Sequence, residues 1–305
     1  MSATVAIWNP ASGGAADEAD LRAALGDAVD LRETTEDDPG QGQTERAVAD
    51  GADLLVACGG DGTVRACLDA LAGTDTALAI VPLGTGNLLA SNLGLATGLD
   101  AADDAGRGTP FPIDLGRING EAFAVMAGTG FDAAMIDGAP SGLKSRIGSL
   151  AYVVSCLRNL HSRLVATTVE VDGRPWLRTR TSMVLVGNFG TVSGGLAVFP
   201  DAEPDDGLLD VAVTAASTPR QWLAWSWRLL RRRPEPPELV QRTRGRRIVV
   251  AQNRARPYEL DGEVRPATRR LEIEVVPGAL TIDQKGASPT GEDPEGDQQK
   301  DGTTP

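Results

Sequence analysis

Three copies of one local pattern constrain the fold of the first 115 residues more than any other feature of this chain. In each copy a short apolar run ends in a glycine-rich loop, and a segment with helical character follows. The loops are NPASGG (residues 9–14), GGDGT (residues 59–63) and LGTGN (residues 83–87). Apolar strands that alternate with helices predict a parallel β-sheet with helices on both faces. Because ligands bind beyond the carboxyl ends of such strands, the three loops are predicted to share one crevice.

The chain changes character after residue 115. Short apolar runs alternate there with Gly, Pro and Asp turns, and helices are predicted only at about 143–160 and 219–232. The runs predict strands at 123–126, 166–171, 183–186, 209–213, 247–251, 258–260 and 271–276. This pattern is typical of a mainly antiparallel β-sandwich domain. The last twenty residues contain a single apolar side chain and are predicted to be disordered. We therefore predict an α/β domain over residues 1–115, a β-rich domain over 116–285 and an acidic tail over 286–305.

The charge of the chain is unevenly distributed. With 42 acidic and 29 basic residues the net charge is −13, which argues against a general nucleic-acid binder. Residues 1–120 hold 19 acidic residues against 6 arginines, whereas residues 220–256 hold 11 arginines against 2 glutamates. The basic stretch predicts one surface that meets an anionic partner.

Rare residue types exclude several chemistries. His161 is the only histidine, so a multi-histidine metal centre is excluded. The cysteines, Cys58, Cys67 and Cys156, have no CxxC spacing, and the first two are predicted to be reduced core residues. The sequence has neither the pattern of a signal peptide nor 18 consecutive apolar residues, so we expect a cytoplasmic location.

The GGDGT loop predicts a phosphate site. A strand, a glycine-rich turn and a helix place backbone N–H groups at a helix N-terminus, where anions bind. Asp61 within the loop suggests Mg²⁺, because a carboxylate beside phosphates requires an intervening cation. The alternative for a lone GGDG is a plain tight turn, and the two further glycine-rich loops weaken that alternative.

The order of motifs along the chain resembles the diacylglycerol kinase catalytic family, which includes sphingosine kinases and bacterial soluble lipid kinases. The motifs are NPxSG (9–13), GGDGT, PLGTGN (82–87), DLG (114–116), GN (187–188), GG (194–195), PDA (200–202), DDGLLD (205–210) and DGE (261–263). The resemblance covers residues 4 to about 283 and implies an N-terminal domain similar to NAD kinases and phosphofructokinases.

The resemblance also implies roles for individual residues. Those expected to bind ATP are Asn9, Pro10, Ala11, Ser12, Gly13, Thr35, Gly60, Asp61, Gly62, Thr63, Val64, Arg65, Ala66 and Thr85. Thr34 is the alternative to Thr35. Asp61 and Asp114 would organise the catalytic Mg²⁺, and Asp206 with the backbone carbonyls of Glu203 and Leu208 would hold a second, structural Mg²⁺.

The same resemblance assigns the acid–base chemistry to Glu263 with Asp261, which would take the proton from the lipid hydroxyl. From the residues alone, Asp-Gly is equally a hairpin-turn signal, so a plain turn is the alternative. One position departs from the family pattern. Leu88 follows the asparagine of the third loop where many bacterial relatives have aspartate, which puts the details of the Mg²⁺ network in question.

The basic stretch contains a candidate membrane helix. Trp222 and Trp225 would lie on an apolar face, opposite an arc that includes Arg231 and Arg232, with Arg233 following. Three tryptophans beside four arginines suit an interfacial helix on an anionic bilayer. The alternative is a helix packed on its own domain with a solvated arginine face.

Together these observations predict an ATP- and Mg²⁺-dependent lipid kinase that converts diacylglycerol to phosphatidic acid. It would associate peripherally with a membrane, and a homodimer is an open possibility. The alternatives are a kinase for sphingoid bases or another small molecule, similar to NAD kinase, and a catalytically weakened lipid-binding protein, which the departure at Leu88 would explain.

Overall fold

The structure is a computed structural model that describes residues 3–12, 16–130, 164–192, 196–216, 218, 220, 221, 227, 228 and 239–289. The predicted helix at 143–160, most of that at 219–232, His161, Cys156 and most of the predicted tail therefore lie outside the described residues. The chain divides into two compact units, one formed by residues 1–113 with the segment from Ala279, the other by Asp114–Gly278. None of the helices in the described ranges is long and apolar enough to cross a membrane.

The first unit has the predicted α/β architecture. Its elements are β1 (Thr4–Trp8), α1 (Glu18–Leu25), β2 (Asp30–Glu33), α2 (Gln41–Ala49), β3 (Leu54–Gly59), α3 (Asp61–Leu71), β4 (Ala77–Pro82), α4 (Leu88–Asn92) and a 3-10 helix (Gly98–Asp104). The four strands pair in parallel in the spatial order β4–β3–β1–β2. The three predicted strand–loop–helix repeats begin at β1, β3 and β4, so the prediction of a parallel sheet is confirmed.

Burial explains why these strands form the centre of the unit. Every residue of β3 and β4 is buried, which requires cover on both faces of the sheet. On one face Trp8, Leu21 and Cys58 belong to a single apolar cluster, and α2 packs against α3 elsewhere in the unit. Cys58 and Cys67 are buried and form no disulfide, as predicted. The parallel register brings the carboxyl ends of β1, β3 and β4 to one edge of the sheet.

The second unit is mainly antiparallel, as predicted. Its strands are the end of β5 (Phe111–Ile118), β6 (Glu121–Phe123), β7 (Met126–Thr129), β8 (Val165–Val171), β9 (Arg174–Thr181), β10 (Met183–Gly187), β11 (Thr191–Val192), β12 (Leu196–Ala197), β13 (Leu209–Thr214), β14 (Val240–Gly245), β15 (Arg247–Leu260) and most of β16 (Glu263–Ile282). The long strand β15 pairs with β8 through its first half and with β7 through its second half. It therefore joins the series β9–β8–β15 to the series β14–β13–β10–β7–β15.

One buried cluster lies between these two series of strands. It contains Val169 and Ile248 from the first series and Val184, Val211 and Leu260 from the second. The sequence predicted two strands at 247–251 and 258–260, and the structure has β15 instead. Residues 252–257 are mostly polar and the register of β15 against β16 shifts between Ala251 and Arg256, so no apolar alternation connects the two predicted strands.

The chain returns to the first unit after Gly278. Ile282 pairs in parallel with Leu78, and the buried Gln284 amide bonds both backbone groups of Ile80, at 2.8 and 2.9 Å. The predicted second domain extended to residue 285, whereas residues 279–289 belong to the first unit. A local sequence pattern cannot reveal this, because the partners of Gln284 lie about 200 residues earlier in the chain.

Candidate functional site

The GGDGT loop forms the N-terminus of α3. Strand β3 ends at Gly59, Gly60 is the N-cap residue, and no side chain caps the helix. An uncapped helix N-terminus presents backbone N–H groups and a partial positive charge, which suits an anion such as phosphate. The side chains of Val64, Arg65 and Ala66 are buried in the unit. The side chains of these three predicted ligands are therefore not presented at the surface of the unit.

Hydrogen bonds join the three predicted loops to one another. Asn9 Nδ2 of the first loop donates to Thr63 Oγ1 at 3.3 Å. Leu83 N of the third loop donates to the Gly59 carbonyl at 2.9 Å, and Leu88 N donates to Asp61 Oδ1 at 2.5 Å. The structure thus brings the three loops together at one edge of the sheet of the first unit.

Two glycines make the contact between the second and third loops possible. A Cβ atom added to Gly84 would lie 2.5 Å from Gly60 Cα and 2.8 Å from Asn87 Oδ1. Any side chain at residue 84 would therefore push the loops apart. Glycine at residue 84 is therefore what lets the backbones of the second and third loops pack directly against each other.

The remaining predicted ATP ligands lie mostly at exposed positions. Pro10, Ala11, Gly62 and Thr85 are exposed, and Gly13 lies outside the described residues. In the first loop Ala11 N donates to Asn9 Oδ1 at 2.9 Å, which folds the NPAS segment back on itself. The two candidate threonines differ in environment, because Thr35 is exposed in a turn with Asp38 whereas Thr34 is buried.

Asn87 of the PLGTGN motif has a structural role that the motif alone did not reveal. It has a positive φ of 45° and precedes α4. Its Oδ1 accepts from Gly84 N at 3.0 Å and its Nδ2 donates to the Gly84 carbonyl at 2.8 Å. Asparagine tolerates this left-handed conformation better than most residues. An Asn between a glycine and two leucines was therefore the sequence signal for a left-handed residue before α4. Leu88, the departure from the family pattern, is buried.

In the second unit, Asp261 closes the turn between β15 and β16. It is 6% exposed and has a φ of 45°. Its carboxylate accepts hydrogen bonds from three successive backbone N–H groups, those of Ala124, Val125 and Met126, at 2.7 to 3.0 Å. A carboxylate held in this way is a structural anchor, since its strongest acceptor positions are already occupied.

Glu263 lies in a different environment from Asp261. It is half-buried, and its carboxylate accepts from Arg265 Nη2 at 3.0 Å. Arg265 also bonds Glu121 at 2.8 Å, so the guanidinium is fixed between two carboxylates. The two predicted acidic residues therefore differ: Asp261 is committed to the backbone, while Glu263 keeps an accessible carboxylate.

Glu259 is a buried acid that sequence reasoning did not single out. It is 7% exposed and pairs across the strands with Gly128 and Val264. Burial, with repulsion from Asp261 as the smaller cause, raises the pKa of Glu259 to about 8. The sequence shows a carboxyl residue within an apolar run, but only the structure shows that its side chain is buried.

Asp114 binds the acidic loop that contains DDGLLD. Its two carboxylate oxygens accept from Gly207 N at 2.6 Å and Gly278 N at 2.7 Å. Burial raises the pKa of Asp114, and these two hydrogen bonds oppose that rise. Among the described residues, no group of three or more His, Cys, Asp or Glu side chains is arranged to hold a metal ion. Each Asp114 oxygen nevertheless retains a lone pair for a cation.

Arg244 supplies positive charge to the same acidic loop. Its guanidinium lies 3.5 Å from Asp206 and 3.3 Å from Asp210, and it donates to the Asp201 carbonyl. Asp206 also accepts from Leu208 N at 2.9 Å. Burial raises the pKa of Asp210, and Arg244 opposes that rise. The carboxylate predicted to hold a structural Mg²⁺ thus has a cationic partner from within the chain, which the sequence did not reveal.

Each half of the chain matches the model of a known protein family. Residues 3–118 match the model of the diacylglycerol kinase catalytic domain. Residues 125–284 match the model of the YegS C-terminal NAD kinase beta sandwich-like domain. The two matches fall on the glycine-rich loops and on the antiparallel strands, and the predicted fold class is confirmed.

Relatives of known name agree with these matches. A Pseudomonas aeruginosa protein named "Probable lipid kinase YegS-like" is 33% identical over 87% of each chain. A Bacillus subtilis protein named "Diacylglycerol kinase" is 31% identical over 69% of this chain and 71% of its own. A solved structure titled as a diacylglycerol kinase from Bacillus anthracis shares the fold, with a TM-score of 0.70 at 21% identity over 93% of this chain and 97% of that one. The chain belongs to the diacylglycerol kinase and YegS-like family, and it is an ATP-dependent lipid kinase.

Proposed function

We propose that this enzyme transfers the γ-phosphoryl group of ATP to the free hydroxyl of diacylglycerol and so forms phosphatidic acid. The observation that carries the proposal is the set of three loops joined around the uncapped N-terminus of α3, with Asp61 among them. The relative from Bacillus subtilis, named a diacylglycerol kinase, supports the choice of acceptor.

In the proposed mechanism the first unit holds the nucleotide. The backbone of the loops at Asn9, Gly60 and Gly84 would bind the ATP phosphates, since glycine allows close approach and the helix N-terminus favours negative charge. Thr63 would help to keep the first loop in place through its hydrogen bond to Asn9.

Two aspartates would hold Mg²⁺. Asp61 lies in the phosphate loop with one oxygen bonded to Leu88 N, and Asp114 is fixed by two backbone donors. When bound, the ion would offset the negative charge that develops on the transferred phosphoryl group. A second ion at Asp206, with the carbonyls of Glu203 and Leu208, stays a prediction, because Arg244 already provides a cation there.

Glu263 is our choice for the base that takes the proton of the lipid hydroxyl. Phosphoryl transfer to an alcohol needs a positioned acceptor for that proton. Asp261 is engaged by three N–H groups, whereas Glu263 is half-buried beside Arg265. Asp261 would act on Glu263 indirectly, by fixing the turn that carries it.

We further propose that the enzyme works at the cytoplasmic side of a membrane as a peripheral protein. The candidate contact of Trp222, Trp225 and Arg231–Arg233 with an anionic bilayer lies outside the described residues. A homodimer also stays a prediction. A lipid acceptor that resides in a bilayer is the physical reason to expect such an association.

A kinase assay with labelled ATP and a panel of acceptors tests the proposal. The panel contains diacylglycerol, monoacylglycerol, ceramide, sphingosine and NAD. We expect phosphatidic acid from diacylglycerol as the main product, and loss of turnover by at least 100-fold in Asp61→Ala and Glu263→Gln. The matched controls are Asp75→Ala and Glu274→Gln, which alter exposed acids of the same two units.

Other outcomes assign the alternatives. Preferred phosphorylation of sphingosine or of NAD would show that the acceptor is that molecule and not diacylglycerol. ATP binding without phosphorylation of any acceptor would indicate a catalytically weakened lipid-binding protein.

A further inference from the structure

Asn188 joins two parts of the second unit that lie far apart in the sequence. Gly187 ends β10, and Asn188 follows it with a side chain that is 1% exposed. The Asn188 Nδ2 group donates to two backbone carbonyls, that of Asp114 at 2.8 Å and that of Ala124 at 3.1 Å. Its backbone N–H donates to the Val125 carbonyl at 2.8 Å. One residue thus bonds Asp114 to the chain that follows β6.

Asp114, a candidate Mg²⁺ ligand, is hydrogen-bonded through each of its polar groups. Its N–H donates to the Pro204 carbonyl at 2.6 Å. Its carboxylate accepts from Gly207 N and Gly278 N, and its carbonyl accepts from Asn188. Because three of these four bonds do not involve Asn188, Asp114 is the fixed end of the connection.

The segment 124–126 is the other end, and two residues hold it. Its three N–H groups donate to the Asp261 carboxylate. The carbonyls of its first two residues accept from Asn188, and the carbonyl of the third accepts from Asp261 N at 2.9 Å. All six backbone polar groups of the segment therefore bond Asn188 or Asp261, and these two residues set its position.

The orientation of the Asn188 amide satisfies its donors and leaves its acceptor unpaired. The Oδ1 atom is buried and accepts no hydrogen bond from any residue that the structure describes. A buried acceptor without a donor destabilises a fold. Stability alone does not account for such an amide, whereas a requirement for its two donors at this point does.

We propose that Asn188 is a positioning residue for phosphoryl transfer, which fixes the turn that carries Glu263 relative to Asp114. The connection runs from the Asp114 carbonyl through Asn188 to the segment 124–126, and on through the Asp261 carboxylate to Glu263. Displacement of a catalytic group by about 1 Å can lower a rate on the order of 100-fold. The inference rests on the proposed function and deepens it, because it links the candidate base to the candidate Mg²⁺ ligand of the same unit.

Steady-state kinetics of the full-length enzyme with diacylglycerol give the first test. We expect Asn188→Ala to lower kcat at least about tenfold, because the base is displaced from the acceptor hydroxyl. The KM for ATP should stay within about threefold of the wild-type value, since the nucleotide loops lie in the first unit.

A double-mutant cycle with Glu263→Gln separates positioning from a general loss of folded enzyme. If Asn188 acts through the position of Glu263, adding Asn188→Ala to Glu263→Gln should lower kcat by less than about threefold. A loss of folded enzyme would instead lower kcat by the same factor in both backgrounds. Equal factors would therefore overturn the inference.

Hydrogen exchange provides a readout that does not depend on turnover. The N–H groups of the segment 124–126 are bonded to Asp261, and in Asn188→Ala they should exchange at least about tenfold faster. Unchanged exchange at these three residues would contradict the proposed connection.

Ser182→Ala is the matched control at the opposite end of β10. Ser182 is fully buried, and its Oγ donates to the Thr214 carbonyl at 3.0 Å. The control therefore also removes a buried side-chain hydrogen bond from the second unit. It should leave kcat, and exchange at residues 124–126, within about twofold of the wild type. A control that matches Asn188→Ala in both measurements would show that any such loss has the same effect.

Ala124→Gly carries the test if Asn188→Ala does not fold. It removes no hydrogen bond but frees the backbone of the segment, and it should lower kcat at least about threefold in the wild type and not in Glu263→Gln. A kcat equal to that of the wild type would count against the inference. If the wild type itself phosphorylates no acceptor, the proposed function fails and the positioning role fails with it. Normal wild-type turnover with equal factors in both backgrounds overturns this inference alone.

Discussion

Asp261 and Glu263 show how far two acids separated by one glycine can differ. The Asp261 carboxylate accepts three backbone N–H groups and is buried, whereas Glu263 pairs with one arginine and is half-buried. Stability and catalysis should therefore be separable at this turn. Removal of the first carboxylate affects the fold, and removal of the second affects the proposed proton transfer.

For Asp261→Asn we expect a loss of about 2–3 kcal/mol in the free energy of unfolding. The substituted amide keeps one acceptor oxygen, and its NH₂ group would face buried N–H donors with no acceptor between them. The free energy of unfolding of Glu263→Gln should lie within about 1 kcal/mol of the wild-type value, because the partly exposed ion pair with Arg265 contributes little. Urea titration followed by far-UV circular dichroism measures both. Equal stability of Asp261→Asn and the wild type would show that the anchor is dispensable.

Glu259 makes the stability of the second unit depend on pH. Its pKa is raised to about 8 by burial, against 4.5 for the exposed carboxyl of an unfolded chain. The folded state therefore retains a proton that the unfolded state loses. The stabilisation is fully present below pH 4.5 and is lost as pH rises through about 8, at about 1.4 kcal/mol per pH unit in between.

The variant Glu259→Gln isolates this effect, because glutamine mimics the protonated carboxyl and does not titrate. We expect the variant and the wild type to have similar unfolding free energies at pH 5, and the variant to be the more stable at pH 8. The difference between the two proteins cancels the contributions of the other acids. A difference that does not change between pH 5 and pH 8 would show that Glu259 titrates normally.

At the scale of elements, β14 and the acidic loop depend on each other. Asp210 and Arg244 are directly opposite in the β13–β14 pairing. From that position Arg244 reaches Asp206 and the Asp201 carbonyl as well. One side chain thus holds the DDGLLD segment, which Asp114 holds from the other side through Gly207.

We expect Arg244→Met to lower the unfolding free energy by about 1–2 kcal/mol, since Arg244 is partly exposed and solvent weakens its ion pairs. Arg246→Met, a change at an exposed neighbour, should have little effect. Thermal denaturation with EDTA and with Mg²⁺ adds a second readout. A wild-type melting temperature that falls in EDTA, and no longer does so in Asp206→Asn, would favour the predicted structural Mg²⁺ over the arginine.

The elements show where sequence patterns succeed and where they fail. The strand–loop–helix repeats were predictable because each is local: an apolar run, a glycine turn and the next helix occupy about 20 consecutive residues. Strand β9 was missed because it is an edge strand rich in arginine, with little apolar alternation. Arg244 was missed because its partners come from a different strand and loop, which only the pairing register reveals.

At the scale of the whole chain, the first unit is assembled from two distant segments. Gln284 bonds both backbone groups of Ile80 and the Ala101 carbonyl. Asp283 accepts from Gly108 N, and its own N–H donates to the Leu78 carbonyl. Neither residue spacing nor composition indicates such contacts in the sequence. A domain boundary predicted from the sequence therefore groups residues 279–285 with the strands that precede them.

The first unit should therefore not fold as a fragment that lacks the segment from Ala279. Removal of the segment from Ala279 would expose the edge of β4 and leave the N–H and carbonyl of Ile80 unpaired inside the unit, at about 1–3 kcal/mol for each buried group. We expect a fragment of residues 1–113 to remain largely unfolded by circular dichroism. The same fragment joined through a flexible Gly/Ser linker to residues 279–289 should fold cooperatively.

A single substitution gives the same test in the intact chain. Gln284→Ala should lower the free energy of unfolding by at least about 3 kcal/mol, because three buried backbone groups lose their partners at once, at about 1–3 kcal/mol each. Lys285→Ala, at the adjacent exposed position, should be neutral. If residues 1–113 fold alone and Gln284→Ala has the stability of the wild type, the segment from Ala279 is not required for the fold of the first unit. If both predictions hold, the fold of the first unit depends on a segment that follows the entire second unit in the sequence.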